Sequence, residues 1–391
     1  AIMAMDLANT PASGIRAQLC GDAHLLNFRL LASPERRLMF DINDFDETLP
    51  GPWEWDLKRL TASLVIAARA NGFGTGKRAV IVSSTVRSYR EHMREFASMG
   101  NLPVWYAQFD TEWVRAHFGG RLSSRGRKKW AEATEKARGR DNLQAFDRLT
   151  EVVDGKRRLA ADPPLITPMR DLFPEAADRV GLEEAIGGLV ANYSETLQSD
   201  RRHLLDQYHL AGIARKVVGV GSVGTRCWIV LMLGRDDQDP LLLQAKEADQ
   251  SVLAPYAGAS AYGTQGERVV AGQRLMQATS DIFLGWERVD GIDGRRRDFY
   301  IRQLRDWKGI ATPEIMRPAG LCTFGELCGA TLARAHARST DRIALAAYLG
   351  TSDTLDRALT AFAEAYADQN EDDHQALVDA IRSGRVTAQA A

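Results

Sequence analysis

Between residues 210 and 305 the hydrophobic pattern changes its period, and that change limits the folds open to the chain. On both sides, apolar residues recur every three to four positions, the spacing of helices buried along one face. Inside the island, Lys216–Val220, Arg226–Leu233 and Leu241–Ala245 are branched, apolar runs parted by turns at Gly221–Gly224 and Gly234–Pro240. Glu267–Gln277 has helical spacing. Ile282–Val289 and Asp298–Leu304 are two more strand-like runs around Asp290-Gly291-Ile292-Asp293-Gly294. The order is β-β-β-α-β-β. The flanking helices must then meet each other across this island. With 391 residues the chain is long enough for two lobes. We expect an α+β fold in which 210–305 forms a small antiparallel β lobe. Segment 1–209 then joins 306–391 in a large helical lobe.

The flanks supply the helices. Residues 1–12, 77–99, about 122–138 and 182–208 read as helical, the last as one long helix. Asp56 is a good N-cap for the amphipathic run Leu57–Ala70, which ends at Asn71-Gly72. The stretch 149–169 reads as a hairpin around Asp154-Gly155 followed by a proline-rich loop. From Phe324 onward the pattern is helical again, with Asp368–Asp373 as a polar loop between helices. The opening run Ala1–Ala8 reads like the interior of a helix, so a segment upstream of it is expected.

Two acidic runs stand near the start. Gly21-Asp22-Ala23-His24-Leu25-Leu26-Asn27 resembles the G-D-x-H-x-x-N catalytic loop of aminoglycoside and choline phosphotransferases. That chemistry needs a carboxylate to receive a hydroxyl proton and an amide oxygen five residues on to hold Mg²⁺. Asp22 and Asn27 match those positions, and His24 matches the family's histidine, read here as a hydrogen-bonding loop residue. Asp41-Ile42-Asn43-Asp44-Phe45-Asp46-Glu47 resembles the D-F-x-D metal motif of the same enzymes, with Asp44 as ligand and Asp41 and Asp46 as competitors. It is not an EF-hand, because Phe45 stands at a ligand position and Asp46 where the glycine belongs. The segment from Gly51 to Asp56-Leu57 resembles the end of that signature, in which the aspartate braces the catalytic loop.

The third element is Gly219-Val220-Gly221-Ser222-Val223-Gly224. Such spacing also fits a dinucleotide fold, but that loop must open into a helix. Here it runs into the strand-like Thr225–Met232, and G-x-S-x-G would need glycine at Val220. A glycine loop between antiparallel strands is the kinase arrangement, with a plain hairpin turn as the alternative. Lys246 ends an apolar run 22 residues past Gly224, like the strand lysine of kinases. Glu267, early in the intervening helix, is its expected partner, with Glu247 a weaker candidate because adjacent strand residues face opposite ways. Tyr300–Leu304 would enter the hinge, with Gln303 and Leu304 holding the adenine through their backbone.

CGDAHLLNF, FDINDFDE, WEWDLKRL, KVVGVGSVGT, FYIRQLRDWKG and LARAHARS together resemble domain-of-unknown-function family 2252, bacterial proteins with a kinase-like signature. In small-molecule kinases the glycine loop comes first, and a helix like Leu332–Ala337 leads into the catalytic loop. Here the catalytic loop arrives from the N-terminus, so the resemblance implies a protein-kinase-like fold with circularly permuted lobes. It also implies phosphoryl transfer from ATP, with Mg²⁺, to the hydroxyl of an unidentified acceptor. In that reading Asp22 is the base, Asn27 and Asp44 hold the metal, Lys246 and Glu267 anchor the phosphates, and Gly219, Gly221, Ser222 and Gly224 cover the triphosphate. AMP transfer on the same fold and a catalytically silent nucleotide-binding regulator are the alternatives.

Composition narrows the partners. A formal net charge of -1 gives no global attraction to nucleic acid or an anionic membrane. No apolar run approaches the roughly 18 residues of a membrane span. The four cysteines form no C-x-x-C pair and the seven histidines no ligand spacing, so reduced thiols and a cytoplasmic location are expected. His336 reads as a packed helix histidine, and Arg121–Lys129 and Arg295–Arg297 as solvated surface.

Overall fold

A computed structural model describes residues 1–121, 124–139, 142–153, 155–172, 188–217, 225–290, 295–304, 307, 309 and 311–388. The island folds as its pattern predicts. Strands β8 (His209–Lys216), β9 (Cys227–Leu233) and β10 (Pro240–Glu247) form a meander. Helix α12 (Gln265–Met276) then crosses over, and β11 (Gly285–Asp290) and β12 (Arg296–Gln303) close the lobe as a hairpin. β12 returns to pair with β10, setting Lys246 opposite Tyr300. The helix lies tightly on this sheet: a Cβ at Gly266 would fall 2.2 Å from the Phe299 carbonyl oxygen.

The sheet is larger than the island. Its order is β11-β12-β10-β9-β8-β7, and β7 (Ile166–Pro168) comes from earlier in the chain. The reason lies in β9, which is apolar at every position from Cys227 to Leu233 and so needs cover on both faces. On one face Ile229 and Leu231 pack with Phe146, Leu149 and Leu159. These come from α7 (Asn142–Leu149) and the hairpin of β5 (Thr150–Val153) and β6 (Lys156–Leu159). On the other face Met232 and Leu243 pack with Tyr193, Leu197 and Leu205. The expected boundary at 209/210 is therefore corrected: segments 142–172 and 188–205 belong with the sheet. The expected single helix over 182–208 is broken among its described residues. Helical residues 188–195 (α9) and α10 (Ser199–Leu205) are parted where the Thr196 hydroxyl accepts the Trp286 N–H at 3.2 Å. β8 ends at Lys216, and of the strand expected over Lys216–Val220, residues 218–220 lie outside the described residues.

The helical lobe draws on both ends of the chain. α2 (Glu54–Ala70) and α3 (Thr75–Ser98) share one core with α13 (Pro318–Ala337), α14 (Arg342–Leu349) and α15 (Thr354–Arg382). Gly325 and Gly329 let α13 approach α3 closely; a Cβ at Gly329 would sit 2.4 Å from the Thr85 carbonyl oxygen. α15 runs unbroken through Asp368–Asp373, which is not a loop. Two two-stranded ribbons lie between the lobes. One pairs β1 (Arg16–Leu19) with β4 (Leu49–Pro52), the other β2 (Phe28–Ala32) with β3 (Leu38–Ile42). α1 (Ile2–Ala8) packs beside α2 and the short α11 (Ala254–Ala257). Among the described residues no helix is long and apolar enough to cross a membrane.

Candidate active site

The ribbons bring the two acidic runs together. Phe28 pairs with Ile42, and one step further the Asn43 N–H donates to the Asn27 carbonyl at 2.8 Å. The run ending at Asn27 and the run starting at Asp44 therefore emerge side by side. Gly21 makes the close approach possible: its φ is +88°, and a Cβ there would meet the Glu47 carbonyl oxygen at 2.4 Å. Asp56 fixes the first loop from below, accepting the N–H groups of Cys20 at 2.8 Å and Gly21 at 3.1 Å. It stands third in α2 rather than at the N-cap, which is Trp53, so its carboxylate serves the loop and not its own helix. Behind it, His336 Nε2 lies 3.3 Å from Asp56 and the Tyr89 hydroxyl lies 2.8 Å from His336 Nδ1, all of them buried.

A cleft of about 690 Å³ opens over these loops, and Asp22, Asp44, Asp46, Arg59 and Lys246 all line it. Lys246 is ion-paired with Asp46, and the Tyr300 hydroxyl donates to the same carboxylate at 2.6 Å. The register that sets Lys246 opposite Tyr300 aims both at one group. Burial first, and then the charge of Asp44, raise the Asp46 carboxyl above its usual range, against the pull of Lys246 and Tyr300. Arg268, buried on α12, ties the lobes by donating to the carbonyls of Asp46 and Thr48 at 2.8 Å and Asp249 at 2.9 Å. Asp22 accepts from Arg59 Nε at 2.8 Å and lies 3.6 Å from His24 Nε2. Burial lowers the His24 pKa, only partly offset by Asp22, and its Nδ1 accepts the Leu26 N–H at 3.2 Å. The ring nitrogen thus caps the short helical turn over Leu25–Asn27.

The expected residues divide clearly. Asp22, Asp44 and Lys246 share the cleft. Glu267 does not partner Lys246: its N–H is capped by Thr264 at 3.0 Å, and the inward position on that turn belongs to Arg268. Asp46, reached from 200 positions away, takes the role instead. Glu247 pairs with Arg226 and Arg297, so Arg297 is not simply solvated surface. Asp41 lies beneath the cleft, held by Arg334 at 2.6 Å and the Ala278 N–H at 2.7 Å, and is corrected from metal candidate to structural residue. Gly219, Gly221, Ser222 and Gly224 lie outside the described residues. The amides of Gln303 and Leu304 are already engaged, with the Asp281 carboxylate and the Leu242 carbonyl, so the hinge offers no free N–H at either. Gln303 instead lines a separate cleft of about 200 Å³ with Asn43, Gln277 and Asp281. Arg59 and Arg268 escaped the sequence reading, and Tyr300 entered it only as part of the hinge strand. For Arg59 a signal exists: it lies one helical turn past Asp56, on the same face.

The donor set suits a hard cation. Asn27 Nδ2 donates to the Asp22 carbonyl at 2.8 Å, a bond that does not use its Oδ1. Asp44 accepts the Asp46 N–H at 3.4 Å and has no ion-pair partner among the described residues. Mg²⁺ binds through one or two such oxygens plus phosphate and water, and needs no all-protein cage. Among the described residues no group of three or more His, Cys, Asp or Glu side chains that could hold a metal ion is found. A sequence model of the family described as "Uncharacterized protein conserved in bacteria (DUF2252)" matches residues 1–380. No curated protein and no solved structure gives a match.

Proposed function

The chain belongs to the uncharacterized bacterial family DUF2252, and from that premise we propose that it is a Mg-ATP-dependent phosphotransferase acting on a hydroxyl acceptor. One observation carries the reading: a single cleft collects Asp22, Asp44, Asp46 and Lys246 from opposite parts of the chain. The small lobe adds support, since three antiparallel strands, a helix and a hairpin, with a lysine on the third strand, follow the kinase small-lobe pattern. In this reading the lobes are circularly permuted, the catalytic and metal loops preceding the sheet.

Asp22 would take the acceptor proton on the carboxylate oxygen not held by Arg59. The acceptor oxygen forms its bond to the γ-phosphorus as the bond to the bridging oxygen breaks, and ADP leaves with that electron pair. Lys246, drawn from Asp46 toward the phosphates, would anchor the donor. Arg59 stands beside the transfer point to balance charge that builds on the moving group. Mg²⁺, when bound, neutralises the phosphate oxygens; Asn27 and Asp44 are the residues to hold it. Such a reaction asks mainly for positioning and charge stabilisation.

A nucleotide thermal-shift series with and without Mg²⁺ tests this. ATP at 100 times its Kd is expected to stabilise the fold by about 2.7 kcal/mol. Absence of a metal-dependent shift for every purine triphosphate would sink the reading. Product mass then separates phosphoryl from AMP transfer.

A further inference from the structure

The second cleft, of about 200 Å³, is lined by the residue just before Asp44. That residue, Asn43, has its backbone pinned on both sides. Its N–H donates to the Asn27 carbonyl at 2.8 Å, and its own carbonyl accepts Arg302 Nη1 at 3.3 Å. Asn43 is only 7% exposed, yet its side-chain amide has no hydrogen-bond partner among the described residues. A buried amide left so carries a cost that a bound group removes. Other polar residues around the cleft are engaged. Gln273 Nε2 donates to Gln277 Oε1 at 3.0 Å, Gln277 Nε2 to the Ile42 carbonyl at 2.6 Å, and Ser33 Oγ accepts the Arg37 N–H at 3.2 Å. The Thr279 hydroxyl and the Gln303 side-chain amide line the cleft and, like Asn43, hold no hydrogen bond among the described residues. We infer that this cleft binds a small neutral heterocycle of nucleobase size, its lactam or amidine edge paired with the Asn43 amide.

Donors and acceptors decide the class. Asn43 and Gln303 each offer N–H donors and a carbonyl oxygen, and Thr279 a hydroxyl that does either. Such amides pair at two points with an edge that sets a donor beside an acceptor, as Asn and Gln do with adenine. The aliphatic residues Leu31, Ala32, Pro34 and Ile282, which share the lining, suit the apolar faces of a ring. Three charged residues complete it: Arg36, Asp281 and Arg302. Arg36 stacks over Trp307, and Asp281 accepts the N–H groups of Phe283, at 2.8 Å, and Gln303. Arg302 faces Asp44, Asp46 and Asp281. An anion would therefore meet a carboxylate at the wall and an arginine already shared among three aspartates. The volume is below that of drug-sized sites, about 300–1,000 Å³, and suits a single ring system. Asp22, Asp44, Asp46 and Lys246 do not line this cleft, so the heterocycle binds alongside Mg-ATP and independently of any phosphoryl transfer.

Calorimetric titration of the native chain with uracil, cytosine, adenine and hypoxanthine tests this, with glycerol and acetate as contrasts. At least one base is expected to bind about tenfold more tightly than either contrast, with Mg-ATP present or absent. Asn43→Ala should weaken that base about tenfold, and Gln303→Ala and Thr279→Val should weaken it as well. The amides removed in Asn43→Ala and Gln303→Ala hold no hydrogen bond in the fold, so both variants are expected to melt with the native chain. Gln303→Ala carries the test if Asn43→Ala does not fold. Lys246→Ala should bind the base like the native chain. Tighter binding of glycerol or acetate than of every base overturns the inference, and so does no binding of any base. A base that Mg-ATP displaces, or that Lys246→Ala loses while Asn43→Ala keeps it, sits in the larger cleft and overturns it equally.

Discussion

A lysine drawn into a cleft between lobes needs a carboxylate within reach, and the identity of that carboxylate tells which elements are coupled. Lys246 has chosen Asp46 on the acidic loop, so the sheet lobe is tied directly to the loop that bears Asp44. Glu267 is left at the first turn of α12 with its N–H capped by Thr264. The expected consequence is a sharp asymmetry. Lys246→Ala should abolish the Mg-ATP thermal shift, while Glu267→Gln should keep it and change stability by no more than about 0.5 kcal/mol. Equal losses from the two substitutions would restore the glutamate to the site. Gly21 is the other residue on which this geometry turns. Its left-handed backbone and its approach to Glu47 leave no room for a methyl group. Gly21→Ala is expected to destabilise the fold by about 2 to 4 kcal/mol in urea denaturation, combining backbone strain with a backbone clash.

Between elements, helix spacing and charge pairing hold the helical lobe. The α3–α13 contact depends on two glycines with different neighbours. A Cβ at Gly325 would strike the Thr85 hydroxyl at 2.3 Å, whereas one at Gly329 would strike the Thr85 carbonyl at 2.4 Å. Thr85→Ser keeps that hydroxyl, so Thr85→Ala is the relieving change. Gly325→Ala should then be largely rescued by Thr85→Ala, and Gly329→Ala should not, with thermal melts of the doubles as the check. The second device is Glu364 on α15. It accepts from Arg78 Nε at 2.7 Å and Arg69 Nη2 at 2.8 Å, and these contacts, Arg78 first, lower its pKa. A lowered carboxyl pKa contributes stability above the unfolded-state value, about 4.3 for glutamate, and loses it as pH falls through the folded value. Glu364→Gln should thus be about 1 to 2 kcal/mol less stable than the native chain at neutral pH. That difference should vanish toward low pH in denaturation series. Much of this scale was legible. The β-β-β-α-β-β order, α3 and α6 (Ser124–Arg138) followed from period and turn residues. The break after Thr196 was not legible, because it answers to Trp286, a contact no local pattern encodes.

For the whole molecule, the meeting of the early acidic runs with the later sheet is a matter of topology, and topology is where the sequence was both most and least informative. That Asp22 and Lys246 should share a cavity was legible from their motifs alone. The depth of the sheet lobe was not, because the helical and hairpin runs before residue 210 look like any amphipathic surface elements until they are seen packed on β9. Yet β9 held the clue, since a strand apolar at every position cannot leave either face in water. This fixes where the chain can be divided. A fragment spanning 210–305 strips Phe146, Leu149 and Leu159 from one face and Tyr193, Leu197 and Leu205 from the other. Each large apolar side chain removed from such a core contributes about 1.5–3 kcal/mol of burial. Six such losses are as large as the whole stability of an ordinary domain, about 5–15 kcal/mol. The fragment 210–305 should therefore aggregate or stay molten, without a cooperative thermal transition. A fragment spanning 142–304 keeps both faces covered and should melt cooperatively, as followed by far-UV circular dichroism. Cooperative melting of the shorter piece would mean that the elements packed before residue 210 contribute little to holding the sheet, and the boundary would move back to where the change of period first set it.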